Sequence, residues 1–208
     1  MMRLRSTFAR LLGRFRRETE AVAAVEFALI VPFLITLYLG SMEAAGLFTV
    51  DKRINSISAT VGDLIGQWDP ADGTISNSEL TNYMDASKGI LAPYSTSGLK
   101  ITVSLVKVTK TSGATNVLWS KANAAGTAKA ENNPYTDLPA TTEMNKLIAK
   151  DGGCVVAAEV IYSYTPLLGT VFKTAVNFKH TNYFLPRFGN TAPIVVEGKT
   201  VAATACSA

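Results

Sequence analysis

The sequence predicts an α+β protein in which one long N-terminal helix packs on an antiparallel β-sheet. Two observations give the helix: an apolar run fills residues 21–42, and an apolar stripe at helical spacing continues beyond it to residue 68. The third observation is a series of strand-like segments with turns between them over the rest of the chain. We therefore divide the chain into a basic leader (1–21), a long helix (22–68) and an α+β domain (69–208).

The apolar run reads AVAAVEFALIVPFLITLYLGSM, and Glu26 is its only charged residue. As a helix it would be about 33 Å long, enough to cross a bilayer core of about 30 Å. We therefore predict a transmembrane segment over residues 21–42, with a kink near Pro32 because proline removes a backbone hydrogen bond. Glu26 either lies at the headgroup boundary of a simple anchor or faces a partner inside the membrane.

The first 20 residues contain six arginines and two glutamates, which account for the whole formal net charge of +4. The remaining charges cancel, so the basic pI gives no reason to expect a nucleic-acid partner. Arginines directly before a span place the N-terminus in the cytoplasm and the rest of the chain outside. We therefore predict a single-pass inner-membrane protein with a periplasmic C-terminal domain.

The apolar stripe beyond the span alternates spacings of three and four residues, which predicts one continuous helix to about Gln67. This stripe either forms a coiled coil with another chain or packs on the sheet of its own chain, and the second arrangement is favoured because the stripe is short for a coiled coil. Its members are Leu47, Val50, Ile54, Ile57, Val61, Leu64 and Trp68.

Residues 24–32, AVEFALIVP, together with Gly40, Glu43 and Gly46, resemble the signature of TadE-like minor pilins, or pseudopilins, of tight-adherence type IV pili. The resemblance extends over about residues 21–64. It implies a type IV pilin-like fold and a structural role in assembly, initiation or the tip of an adhesion pilus. The partners it implies are other pilins and pseudopilins, the prepilin peptidase and the inner-membrane assembly platform.

The resemblance also implies a prepilin cleavage site between Ala21 and Val22, where the family usually has glycine before the cut. Cleavage there makes Glu26 the fifth residue of the mature chain. Glu26, Phe27 and Pro32 are then the expected assembly residues, with the Glu26 carboxylate pairing with the N-terminal ammonium of a neighbouring subunit. Replacing Glu26 by Gln or Ala is expected to abolish incorporation into a pilus.

Other function classes have less support. An uncleaved, membrane-anchored periplasmic scaffold or binding protein fits the same anchor. An enzyme is not expected, because the only histidine, His180, has no catalytic motif around it and no phosphate-binding loop occurs. We expect no cofactor and no metal. Residues 69–79 match only half of a calcium-binding loop, and a helix cap at Ser76 and Glu79 is favoured instead.

In the C-terminal domain we predict a helix over residues 77–88 and a strand over 99–109 with a bulge near Leu105. A hairpin partner is expected over 116–121 and an exposed loop over 122–139. Further on, the pattern predicts a helix over 141–150, a strand over 154–164 whose even positions face the long helix, and two short strands over 194–197 and 200–206.

The two cysteines, Cys154 and Cys206, fall in the domain expected outside the membrane, where disulfides persist. They form either one disulfide or two unpaired thiols, and the disulfide is favoured. It would fasten the C-terminus to the central strand.

Overall fold

The computed structural model describes residues 19–138, 142, 145–146, 153–166, 169, 173–188 and 192–206. The predicted leader therefore lies outside the described residues except for its last three positions, and so does most of the predicted helix at 141–150. By internal contacts the chain forms two units. The first contains the residues up to Gly46 with Pro166–Lys173, and the second contains Leu47–Thr165 with Thr174–Ala208.

The predicted long helix is confirmed as α1, Thr19–Gly66, which continues through Pro32. In the second unit its apolar stripe packs on the chain's own sheet, as expected. The predicted stripe runs through Leu64 to Trp68, but in the structure Ile65 is fully buried, whereas Leu64 and Trp68 are half-buried. The difference arises because the true helical repeat of about 3.6 residues drifts from the strict 3–4 alternation. The fully buried members are Val50, Ile54, Ile57, Val61 and Ile65.

One antiparallel sheet with strand order β2-β1-β3-β4 forms the rest of the core. Its strands are β1, Lys100–Val108; β2, Thr115–Ala122; β3, Gly153–Tyr164; and β4, Val176–Phe184. The first three confirm the predicted strands. The fourth was not predicted, because its sequence VNFKHTNYF mixes polar and apolar residues on both faces, and none of its side chains is fully buried.

A β-bulge lies beside Leu105, as predicted, but its extra residue belongs to β2 and not to β1. Leu105 of β1 pairs with Trp119 and Val106 pairs with Val117, so the extra residue is Leu118 of β2. The pairing of β1 with β3 is regular throughout. The change of apolar phase in β1 therefore does not come from a bulge in that strand.

The change of apolar phase in β1 is caused by a second apolar layer on the face of the sheet opposite α1. Val106 and Val108 are buried there with Tyr135 and Leu138, which belong to the segment that follows β2. Residues 122–139 were expected to be an exposed loop, and that prediction is wrong for this part, since Tyr135 is 2% and Leu138 1% exposed. The segment folds back because Val117 exchanges backbone hydrogen bonds with Asn132 and Asn133.

Strand β4 and the second-unit part of α1 run in the same direction, and polar contacts join them. Asn182 donates its backbone N–H to Ser58 Oγ, which in turn donates to the carbonyl of Ala158 at 2.6 Å. A Cβ atom added at Gly62 would lie 2.5 Å from the Phe184 ring, so only glycine allows this approach. Along the chain the contacts come in the order Asp51 with His180, Gly62 with Phe184 and Gly66 with Arg187.

The helix α2, Asn77–Lys88, confirms the predicted helix, and Ser76 and Glu79 form the expected capping box. The C-terminal segment is buried at Ile194 and Val196, and Val196 forms a single parallel bridge with Ile75. The two short strands predicted at 194–197 and 200–206 are therefore wrong. The carboxylate of Glu197 accepts the backbone N–H of Asn77 at the start of α2, and the carbonyl of Ile194 accepts the indole N–H of Trp119. A disulfide joins Cys154 to Cys206, as favoured.

Candidate functional site: the exposed apolar half of the long helix

The first unit consists mainly of the α1 stretch that carries the apolar run. Most of its large side chains are exposed, with 67% of Phe27, 75% of Leu29 and 68% of Phe33 accessible. Soluble monomers rarely expose contiguous apolar patches of more than a few hundred Å². This surface therefore needs a lipid or protein environment.

Among the described residues, one helix, within Val22–Gly66, is long and apolar enough to cross a membrane, and its most apolar part is not buried. This agrees with the predicted single-pass anchor. The position of the apolar run at the start of α1 leaves the second half of the helix free to form the core of the second unit.

Glu26 lies on this exposed stretch beside Val25 and Phe27, and no described residue forms an ion pair with its carboxylate. Val22, on the C-terminal side of the predicted cleavage site, is also exposed, and Ala21 belongs to the first turns of α1. The structure thus places the predicted assembly residues on one exposed helix.

Residues 69–79, which match half of a calcium-binding loop, form a turn and a helix cap in the structure. Asp69 accepts the backbone N–H of Ala71 and caps a short 3-10 turn, and Glu79 accepts the N–H of Ser76 at 3.0 Å. The hydrogen bonds from Ser76 hold the pKa of Glu79 below its ordinary value. Within the described ranges, no three His, Cys, Asp or Glu side chains come together as metal ligands would.

Comparison with known families gives one match. The family model for TadE-like protein matches residues 21–61. The matched part of α1 is thus similar to TadE-like protein. Comparisons with curated proteins and with solved structures give no significant match. The match covers most of α1 and confirms the resemblance that residues 24–32 carry.

The TadE-like match supports a protein associated with the tight-adherence pilus and with other components of that pilus. It ends within the second unit, so the sheet and the segments around it lie outside the matched range.

An ionic cluster that sequence reasoning missed lies on the face of the sheet opposite α1. The carboxylate of Glu159, on β3, forms ion pairs with Lys129 at 3.2 Å and with Lys179 at 3.0 Å. Lys179 also binds Asp137 at 3.1 Å. Because Lys129 and Asp137 belong to the segment after β2, the cluster fastens that segment to the sheet.

The pKa shifts in this cluster follow from its burial and charges. Burial raises the pKa of Asp137, but hydrogen bonds within the cluster and the charges of Lys179 and Lys129 outweigh it, so the pKa lies below its ordinary value. Burial alone would lower the pKa of Lys179. The carboxylates of Glu159 and Asp137 raise it by more, so the pKa lies above its ordinary value. Burial and the Asp137 charge raise the pKa of Tyr183 to about 12, so this phenol stays protonated at neutral pH.

We expect Lys179→Met to lower the free energy of unfolding by about 1 kcal/mol near pH 7, a modest loss because Lys179 is half-exposed and Lys129 still pairs with Glu159. The lowered pKa of Asp137 gives stability that is lost as the pH falls through its folded value. The raised pKa of Lys179 gives stability that is lost as the pH rises through its folded value.

The difference between Lys179→Met and the unchanged chain should therefore be greatest at neutral pH and shrink in both strong acid and strong alkali. Urea unfolding of the two chains across pH measures it, with Lys110→Met, an exposed lysine in the β1–β2 turn, as the control. A constant difference at every pH would show that Lys179 contributes packing rather than charge.

Proposed function

We propose that the chain is a minor pilin of the tight-adherence pilus, which acts by packing its N-terminal helix against other pilin helices. The observation that carries the proposal is the exposed apolar surface of α1 with one carboxylate, Glu26, on a helix that matches the TadE-like family. Such a surface fits lipid before assembly and neighbouring helices afterwards. In this proposal the function is structural, at initiation or at the tip, and not enzymatic.

The proposal includes the orientation and the processing of the chain. The arginine-rich leader stays in the cytoplasm, the second unit lies in the periplasm, and a prepilin peptidase cuts between Ala21 and Val22. The cut leaves a new ammonium at Val22. The inner-membrane assembly platform then moves the mature chain into the filament.

Glu26 has a definite role after this cut. A buried ammonium without a partner is very costly among apolar helices, and a carboxylate from a neighbouring subunit removes most of that cost. In the mature chain Glu26 would lie about 6 Å along the helix from the N-terminus, since four residues at about 1.5 Å each separate them. Pairing between subunits would therefore fix the stagger of adjacent helices.

The test is the intact mass and N-terminal sequence of the protein from cells with and without the prepilin peptidase. The expected result is loss of residues 1–21 only where the peptidase is present. An unprocessed chain in both strains would overturn the pilin assignment and leave an uncleaved membrane-anchored scaffold or binding protein. Ala21 in place of the usual glycine would then be the first residue to change, as Ala21→Gly.

If the chain is processed, Glu26→Gln is expected to abolish its recovery in sheared pili while leaving it in the membrane fraction. Glu26→Asp, which keeps the charge, serves as the matched control and should retain part of the incorporation. Formation of the Cys154–Cys206 disulfide reports that the second unit still folds in both variants. Equal recovery of the Gln variant and the unchanged chain would exclude the pairing.

A further inference from the structure

The C-terminal segment of the second unit, residues 194–206, covers part of the core without joining the sheet. We call this segment the strap. Its first part is buried at Ile194 and Val196 and its end at Cys206, whereas most of the residues between Val196 and Cys206 are exposed. Val196 forms one isolated bridge with Ile75, and no other residue of the strap belongs to a strand or bridge. The strap therefore contacts the core at two separate places.

Backbone and indole hydrogen bonds hold the first part of the strap. Trp119, on β2, donates its indole N–H to the carbonyl of Ile194 at 2.7 Å. Ile75 donates its N–H to the carbonyl of Val195 at 2.9 Å and accepts the N–H of Glu197 at 2.8 Å. Trp119 and Ile75 are both fully buried. If the strap leaves, these two residues lose their hydrogen bonds and their apolar cover together.

The disulfide holds the end of the strap. Cys206 is 3% exposed and is joined to Cys154, the second residue of β3. On its other side the strap follows Arg187, whose N–H donates to the carbonyl of Gly66 at the end of α1. With both ends fixed, the disulfide closes a loop of about 20 residues. In the loop-entropy model such a bond raises the equilibrium constant for docking of the strap roughly 200-fold.

Without the disulfide, the contacts of the strap are few for its length. Ordering the backbone of one residue costs about as much free energy as one or two hydrogen bonds return in a folded protein. The strap has thirteen residues, but its fully buried apolar side chains are those of Ile194 and Val196. The sheet and α1, by contrast, bury their apolar residues against each other without the strap. Loss of the disulfide therefore acts on the strap before it acts on the rest of the unit.

We propose that the strap is a redox switch within the second unit. It is closed over Trp119 when the disulfide is formed and opens when a dithiol reduces the disulfide, while the sheet and α1 stay folded. One thiolate of the dithiol attacks a sulfur of the Cys154–Cys206 bond, and the second thiol then displaces the mixed disulfide. Both cysteines become thiols, and the dithiol leaves as a disulfide. A disulfide oxidant reverses the reaction.

Opening of the strap changes the surface of the second unit. In the reduced chain Trp119 and Ile75 become accessible to solvent, whereas the oxidised chain hides them. Oxidation of the two cysteines is therefore the step that completes the apolar core. The inference concerns the second unit alone, so it depends neither on cleavage of the leader nor on assembly into a pilus.

The two tryptophans provide the measurement and its control. Each indole N–H donates to a backbone carbonyl, that of Trp119 to Ile194 in the strap and that of Trp68 to Gly73 outside it. Hydrogen exchange of the two indole N–H groups is followed by NMR on the full chain in detergent, first oxidised and then with dithiothreitol. The variant Trp68→Phe leaves one indole signal and so assigns both.

On reduction we expect the indole N–H of Trp119 to exchange roughly 100-fold faster, which is of the order of the loop-closure factor. The indole N–H of Trp68 should keep its rate. Adding an excess of oxidised glutathione after the dithiol is removed should restore slow exchange at Trp119. The variant Cys206→Ala should show the fast rate with or without dithiothreitol, because it has no disulfide to reduce.

Two outcomes would overturn the proposal. One is unchanged exchange at Trp119 in a chain that alkylation shows to carry two free thiols, which would mean that the contacts of the strap hold it without the disulfide. The other is equal acceleration at Trp119 and Trp68, which would mean that reduction unfolds the second unit as a whole.

Discussion

Replacing Trp119 with Ala is expected to lower the free energy of unfolding by about 3–5 kcal/mol. Trp119 is fully buried between the sheet and the C-terminal segment, and its indole N–H donates to the carbonyl of Ile194 at 2.7 Å. Truncation removes the largest buried side chain of the core and leaves that carbonyl without its partner, which adds a further penalty to the cavity.

The chain supplies its own control for this prediction. Trp68, the only other tryptophan, is half-buried and also donates its indole N–H to a backbone carbonyl, that of Gly73 at 3.1 Å. Trp68→Ala should therefore cost about 2 kcal/mol, because it loses this hydrogen bond and the packing of a half-buried indole on the core. Trp119→Phe should fall between the two. Urea unfolding of the full chain in detergent, followed by circular dichroism, measures all three, and equal losses at the two tryptophans would contradict the burial argument.

The elements that the sequence predicts well are those whose pattern is local and periodic. In α1 the apolar residues recur at helical spacing, and in β3 the even positions from Cys154 to Tyr164 are all apolar or aromatic. Each of these elements buries one face against the other. The apolar positions of each element are therefore the positions that contact the other element.

Strand β4 could not be predicted this way because its partners are polar. His180 binds Asp51, and Asn182 binds Asn55 and Ser58, so the strand lies at the edge of the sheet on hydrogen bonds to α1. Phe184 fits only because residue 62 is glycine. No periodicity in residues 176–184 reports these contacts, since their partners are more than 100 residues away.

Some features of the candidate site are likewise evident from the sequence and others are not. Glu26 is evident from the sequence because a single carboxylate in an apolar run stands out. Two cysteines allow only one intramolecular bond, so the sequence favours this disulfide without excluding free thiols. The cluster of Glu159 with Lys129 and Lys179 is not evident, because ordinary charged residues from three separate segments form it. The one signal of this cluster in the sequence is Glu159, a charged residue within the apolar strand β3.

Removing the disulfide by Cys154→Ala with Cys206→Ala is expected to lower the free energy of unfolding by about 4 kcal/mol. The bond joins residues 52 apart, and the chain entropy of the unfolded state accounts for a loss of this size in a loop of about 50 residues. A free-thiol count on the unreduced protein checks the premise, with no reactive thiol expected. Two thiols per chain in denaturant without reductant would contradict it.

The disulfide and Trp119 are expected to act together. Cys206 holds the end of the C-terminal segment, and Ile194 in the same segment accepts the indole hydrogen bond. Once the cysteines are replaced, the segment is freer to leave the core, so Trp119→Ala should cost less in that background than in the oxidised chain. A double-mutant cycle measures this coupling, which for connected sites is about 0.5–3 kcal/mol. Strict additivity would mean that the C-terminal segment stays in place without its disulfide, held by its remaining contacts with Ile75 and Asn77 and by the burial of Ile194 and Val196.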